Sequence, residues 1–248
     1  MRRYAPRPSS ISYAFGPGPV PPAVKWIIIA NVAMFVVSIV YPRISDYLGL
    51  IPKRVVESGW VWQVATYMFL HGSPLHILFN LLGIWMFGSE LEYLWKTRFF
   101  LRFYAITGVG AGLTVIAAGL LPFEATASTY TSSTIGASGA LYGLLMAYAM
   151  YYPERPILMF LLFPVPAKYF VLIIGAIAFL SGPGGQVSNV AHLGGLFFAY
   201  FYLKGGRGGL SAEIKYRYLK WKMNRMRRKF DVYSGGRSDK SQWDKHVH

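Results

Sequence analysis

The chain is patterned on the scale of membrane crossings. Apolar runs cover residues 23–41, 69–89, 99–121, 135–152, 167–182 and 188–204. Runs of roughly 17–25 apolar residues mark helices long enough to span a bilayer. The pattern therefore predicts an all-α membrane protein, a bundle of six transmembrane helices within residues 23–204. Pro156, Pro164 and Pro166 break the fifth stretch, so 157–165 is expected to lie at the interface. Residues 1–22 read as an N-terminal tail. Their prolines oppose the amphipathic helix of a mitochondrial presequence, and the apolar run after them is too long for a signal core.

Residues 205–248 read as a basic C-terminal tail. Leu219, Met223, Met226 and Phe230 recur at helical spacing among Lys220, Lys222, Arg225, Arg227, Arg228 and Lys229. This predicts a helix lying on anionic lipid at the bilayer surface, at about 1 kcal/mol per basic residue. The plainer reading is a soluble extension. Residues 234–248 are polar and expected to be disordered.

Composition supports the membrane reading. The chain is 54% hydrophobic and 14% charged, where a soluble domain carries about a quarter charged residues. The net charge of +15 does not imply nucleic acid, because 13 of the 25 Lys and Arg follow position 203. No nucleic-acid partner is expected. With no cysteine, disulfides and thiolate chemistry are excluded. No His-Glu-x-x-His occurs, so neither a metal nor another cofactor is expected.

The placement of Lys and Arg sets the orientation. Arg2, Arg3, Arg7 and Lys25 precede or open the first run. Lys96, Arg98 and Arg102 follow the second, Arg155 and Lys168 follow the fourth, and the basic tail follows the sixth. Connections 122–134 and 183–187 have none. Both tails are thus expected in the cytoplasm of a cell-membrane protein. Connection 42–68, with Arg43, Lys53 and Arg54, opposes this weakly. Runs two, four and six would then start at the outer face, and each start is polar. Run two carries His71, His76 and Asn80, run four Ser138, and run six Asn189 and His192.

Polar and ionisable groups in hydrocarbon are costly and are functional by default. A serine needs a base to become a nucleophile, and histidine titrates close to working pH. Ser138 and His192 pair at matching depth. With no Asp or Glu in the outer halves of runs four and six, a dyad is expected. His76 and Asn80 share a helical face and are candidate oxyanion donors with the Ser138 amide. His71 is expected at the rim or as a loop anchor. Tyr142, one turn after Ser138, is expected to pack on the imidazole. Gly139, Gly143 and Ala147 recur every four residues, as do Ala191, Gly195 and Ala199. Pairing these two small-residue faces would bring Ser138 to His192.

Together, Gly136-Ala137-Ser138-Gly139, His76-Ile77-Leu78-Phe79-Asn80 and Ala191-His192-Leu193-Gly194-Gly195 resemble the rhomboid family of intramembrane serine proteases. The resemblance covers roughly residues 23–204. It implies a six-helix bundle, a dyad open to the outer face, and hydrolysis of single-pass or multi-pass membrane protein substrates near their outer ends. It implies Ser138 as nucleophile, His192 as base, His76 and Asn80 as oxyanion donors, and Gly136 flanking the hole. Glu92 matches a structural acid of the family. Trp62-Gln63 stands where many members have Trp-Arg, which puts the polar anchoring of the first loop in question.

Each feature has a bland counterpart. Gly-x-Ser-Gly is usually a packing motif, His192 a satisfied core histidine, and Asn80 a bridge between helices. Two other functions compete. A catalytically inactive client-binding relative would have lost Ser138 or His192. A proton-coupled transporter would need repeats and a polar path, yet Leu144–Met150 and Leu196–Leu203 are almost wholly apolar apart from tyrosines. Ser181-Gly182-Pro183-Gly184-Gly185-Gln186 is a candidate mobile cap.

Overall fold

The computed structural model describes residues 18–159, 162–181 and 188–206. Of the tails expected at 1–22 and 205–248 and the cap expected at 181–186, residues 1–17, 207–248 and 182–186 lie outside them. Contacts divide the chain into units Met1–Leu203 and Lys204–His248. Of the second, only the last turn of one helix is described.

Helix α1 (Pro22–Val40) opens with proline at its first position, where the missing N–H costs nothing. It buries only Ala23, Val24, Ile27 and Asn31. Trp26, Val32, Val36 and Ile39 are exposed, a face suited to lipid. The connection after it folds into three short helices, α2 (Ile44–Leu48), α3 (Pro52–Ser58) and α4 (Gln63–Thr66), and a 3₁₀ turn, Tyr67–Phe69.

Helix α5 (Pro74–Gly83) continues through a π-helical stretch, Ile84–Gly88, into α6 (Ser89–Trp95). The continuous helix starts at Pro74, not at residue 69. Ser73 accepts from the His76 amide at 3.2 Å and Pro74 follows it, a cap and first-turn proline that terminate the irregular segment before it. Helix α7 (Thr97–Gly119) is followed by α8 (Glu124–Thr131) and α9 (Ser138–Tyr151). Residues 135–137 are loop, so Ser138 opens its helix.

The stretch expected at the interface is a hairpin, with β1 (Pro156–Met159) antiparallel to β2 (Phe163–Pro166). Helices α10 (Ala167–Leu180) and α11 (Ser188–Gly206) follow. Helices α1 and α7 are long and apolar enough to cross a membrane, and α10 is apolar but shorter.

Two polar anchors organise the unit. The Glu92 carboxylate, almost fully buried, accepts from the Ala23 and Val24 amides at 3.0 and 2.9 Å and from the Thr97 hydroxyl at 2.7 Å. It thereby satisfies orphan donors at the start of α1, where the helix dipole also favours an anion. In the first connection, Gln63 is wholly buried. Its Oε1 accepts from the Ile51 amide at 3.1 Å, and its Nε2 donates to the Tyr47 carbonyl at 3.2 Å. The neutral amide thus supplies the loop anchoring that the missing arginine put in question, and both ends of the group are used.

The small residues divide their work differently from the expected pairing. A Cβ at Gly195 would run into the Gly139 carbonyl, so α11 does meet α9 there. Side chains at Gly139 and Gly143 would instead strike Ala111 and Thr107 at 2.7 Å, both on α7. Helix α7 is therefore the second close neighbour of α9, and the glycines serve both contacts.

Candidate active site

Polar residues at the starts of α5, α9 and α11, Asn189 not among them, line one cavity of about 670 Å³. His76, Asn80, Ser138, Tyr142 and His192 all face it. His192 Nε2 lies 2.8 Å from Ser138 Oγ, a hydrogen-bond distance for a nucleophile and its base. With Nε2 turned to the hydroxyl as acceptor, the imidazole proton resides on Nδ1. The Tyr142 ring lies parallel to the imidazole, 2° between planes and 3.9 Å between centroids. This stack fixes the ring plane and favours a developing imidazolium.

Ser138 is the first residue of α9. Its amide belongs to the first turn, where N–H groups lack intrahelical acceptors. The turn before it is held from two sides. The Gly136 amide donates to the Tyr67 carbonyl at 2.9 Å. Leu50 and Thr134 exchange backbone hydrogen bonds of 3.0 and 2.8 Å. Gly136 has φ +121°, and a Cβ there would lie 2.9 Å from His76 Nε2. Backbone conformation and close approach both require glycine.

His76 Nδ1 faces the Gly72 amide at 3.4 Å. Accepting there leaves Nε2 as the protonated nitrogen, directed at the Gly136–Ser138 turn. Asn80 is buried, and its Nδ2 donates to the His76 carbonyl at 2.8 Å. One amide hydrogen remains for the cavity, and Oδ1 has no partner in the structure. Such an unsatisfied buried oxygen costs about 1–3 kcal/mol. None of the residues lining the cavity is acidic.

Of the two places expected for His71, at the rim or as a loop anchor, it does not occupy the rim. It is buried, stands behind the lining, and packs edge-on against His76 at 5.0 Å between ring centroids. It supports the His76 ring rather than the cavity mouth. Gly139 also lies behind the lining, against Ala111 and the Tyr67 hydroxyl. The residues that sequence reasoning missed are Tyr67, Leu50 and Thr134. Tyr67 is buried, donates through its hydroxyl to the Gly108 carbonyl at 2.7 Å, and meets Gly136 through its own carbonyl. Backbone pairings have no residue-type signature, so no sequence signal marked them.

Known proteins resemble this chain at the level of the family. The family model described as Rhomboid domain matches residues 58–206. RHOMBOID-like protein 5 of Arabidopsis thaliana is 30% identical over 164 residues, covering 63% of this chain and 47% of that protein. Rhomboid protease AarA of Providencia stuartii is 26% identical over 189 residues, with 68% and 66% covered. Rhomboid protease GluP of Bacillus subtilis is 31% identical over 156 residues, with 62% and 27% covered. The chain thus spans between about a quarter and two thirds of these relatives. With more than half of its residues matched by the domain model, the chain belongs to the rhomboid family and is a mainly helical integral membrane protein.

Proposed function

We propose that the protein is an intramembrane serine endopeptidase acting by a Ser138–His192 dyad. The observation that carries this reading is the 2.8 Å approach of His192 Nε2 to Ser138 Oγ. The protease names of two relatives support the same class. Ser138 Oγ attacks a substrate carbonyl carbon while His192 Nε2 takes its proton. The resulting oxyanion accepts hydrogen bonds from His76 Nε2, the free Asn80 amide hydrogen and the Ser138 amide. The imidazolium returns its proton to the leaving amine, and the C–N bond breaks to leave an acyl-serine. Water from the cavity then attacks the ester, again with His192 as base. Tyr142 holds the imidazole plane, and Gly136 and Gly139 allow the close approach of His76 and α7.

In this reading six helices span the cell membrane, with α5 and α6 forming one span. Both tails face the cytoplasm, and the cavity opens to the extracytoplasmic side. Substrates are single-pass or multi-pass membrane proteins cut near their outer ends. Reaction of the reconstituted full chain with a fluorophosphonate tests the dyad. Covalent labelling mapped to Ser138 and abolished by Ser138→Ala is expected. A folded protein that does not label overturns it. Cleavage of a panel of single-span proteins, with product ends mapped by mass spectrometry, tests substrate class and depth.

A further inference from the structure

The hairpin after α9 is apolar throughout. From Pro156 to Ala167 the sequence holds no polar side chain. Ile157 turns inward, packing in a cluster with Tyr148, Ala167 and Val171. Leu158 turns outward and is 54% exposed, and at the turn end of the hairpin Leu162 and Phe163 are 72% and 60% exposed. The register sets Leu158 opposite Pro164 and Pro156 opposite Pro166, so the outward face is made of these apolar side chains. In water the outward face of a hairpin is normally polar, and an exposed apolar edge invites aggregation. The prolines at 156, 164 and 166 also remove three edge donors, which matters where water is scarce.

Position and charge identify what covers this face. Ser138 opens α9 at the cavity, and the hairpin follows the other end of that helix. Helix α10, which rises from the hairpin, has 14 residues. At 1.5 Å per residue it reaches about 21 Å, short of a hydrocarbon core of about 30 Å. Leu172, Phe179 and Leu180 of α10 are exposed, so the apolar surface of the hairpin continues a lipid-facing helix. The flanking cations are already engaged. Arg155 pairs with Glu90, and Lys168 pairs with Glu154 at 2.6 Å. Tyr152 and Tyr169 lie beneath these two cations, at a level where aromatic side chains favour a membrane boundary.

We propose that the hairpin is an interfacial anchor. Its outward face lies in the headgroup–acyl boundary of the bilayer on the side opposite the cavity and holds the base of α10 there. Because Arg155 and Lys168 are paired, apolar contact rather than anionic headgroups drives the insertion. The proposal is independent of catalysis.

The absence of native cysteine permits single nitroxide labels. Full-length Leu158→Cys and Phe163→Cys proteins are labelled in phosphatidylcholine vesicles, with Leu172→Cys as lipid reference and Glu154→Cys as aqueous reference. Oxygen and a water-soluble nickel chelate serve as the two collision probes. At 158 and 163, oxygen contact above nickel contact is expected, at depths of roughly 5–10 Å below the headgroups. Adding phosphatidylglycerol or raising salt is expected to leave those depths unchanged. Nickel contact matching Glu154→Cys overturns the proposal, as does shielding from both probes, which would mean coverage by protein. Depth that grows with phosphatidylglycerol overturns the apolar mechanism. The label at 158, on the outward face, decides the matter, and the label at 163 reports the depth of the turn end.

Discussion

Two buried polar clusters sit at opposite ends of the unit and are built on opposite plans. Around Glu92, three donors converge on one carboxylate. Around Ser138, the polar groups line an open volume, and Asn80 Oδ1 is left without a partner. A closed cluster in an apolar setting can only stabilise, since every group is already engaged. An open one retains unspent hydrogen-bonding capacity for a substrate. The difference separates polar groups that hold helices together from polar groups left open to a ligand.

Substitutions at the two clusters should therefore diverge. Ser138→Ala is expected to lower peptidase activity by at least about 10⁴-fold. The same change should alter stability by no more than about 1 kcal/mol, the net worth of one hydrogen bond, as read by thermal unfolding in detergent. A large loss of stability would erase the contrast. Glu92→Ala should do the reverse. It strands two amides and a hydroxyl and is expected to cost about 3–5 kcal/mol, while the protein that remains folded still labels at Ser138. Failure of that folded fraction to label would join the two clusters into one functional unit.

Asn80→Ala tests the open cluster more finely. Loss of one oxyanion donor should reduce kcat by about 10²–10³, or 2.7–4 kcal/mol. Unfolding should shift little, because the residue already carries an unsatisfied oxygen. Gln63→Ala belongs to the closed plan. It removes two hydrogen bonds and is expected to cost about 1–3 kcal/mol of stability, seen as faster proteolysis of the first connection. Tyr67→Phe gives the smallest effect. Loss of its bond to Gly108 is expected to cost about 1 kcal/mol with kcat nearly unchanged, because the Gly136 contact runs through the backbone.

The candidate site was largely legible in the sequence because its residues are the wrong polarity for their surroundings. Ser138, His192, His76 and Asn80 interrupt apolar runs near their starts, and the structure brings all four to one cavity. His71 is less legible. Its polarity marked it, but polarity does not say whether a loop turns a ring inward. The start of α5 was readable from Ser73-Pro74, yet the apolar residues at 69, 70 and 75 extended the run past that signal. The hairpin is marked in the sequence only by its prolines, since a short apolar stretch has no period that separates strand from buried helix.

The sequence by itself determined the class of protein, the approximate places of its long helices and most of the polar residues that line the cavity. Hydrophobic run length, charge bias and isolated polar groups are local properties and survive without coordinates. Tertiary structure decided which surfaces meet. The spacing of small residues on α9 predicted close packing, but only the folded chain divided it between α7 and α11. The turn before Ser138 depends on main-chain bonds from Tyr67, Leu50 and Thr134. Main-chain groups are the same at almost every position, so their partners are fixed by the path of the chain and leave no mark in its letters.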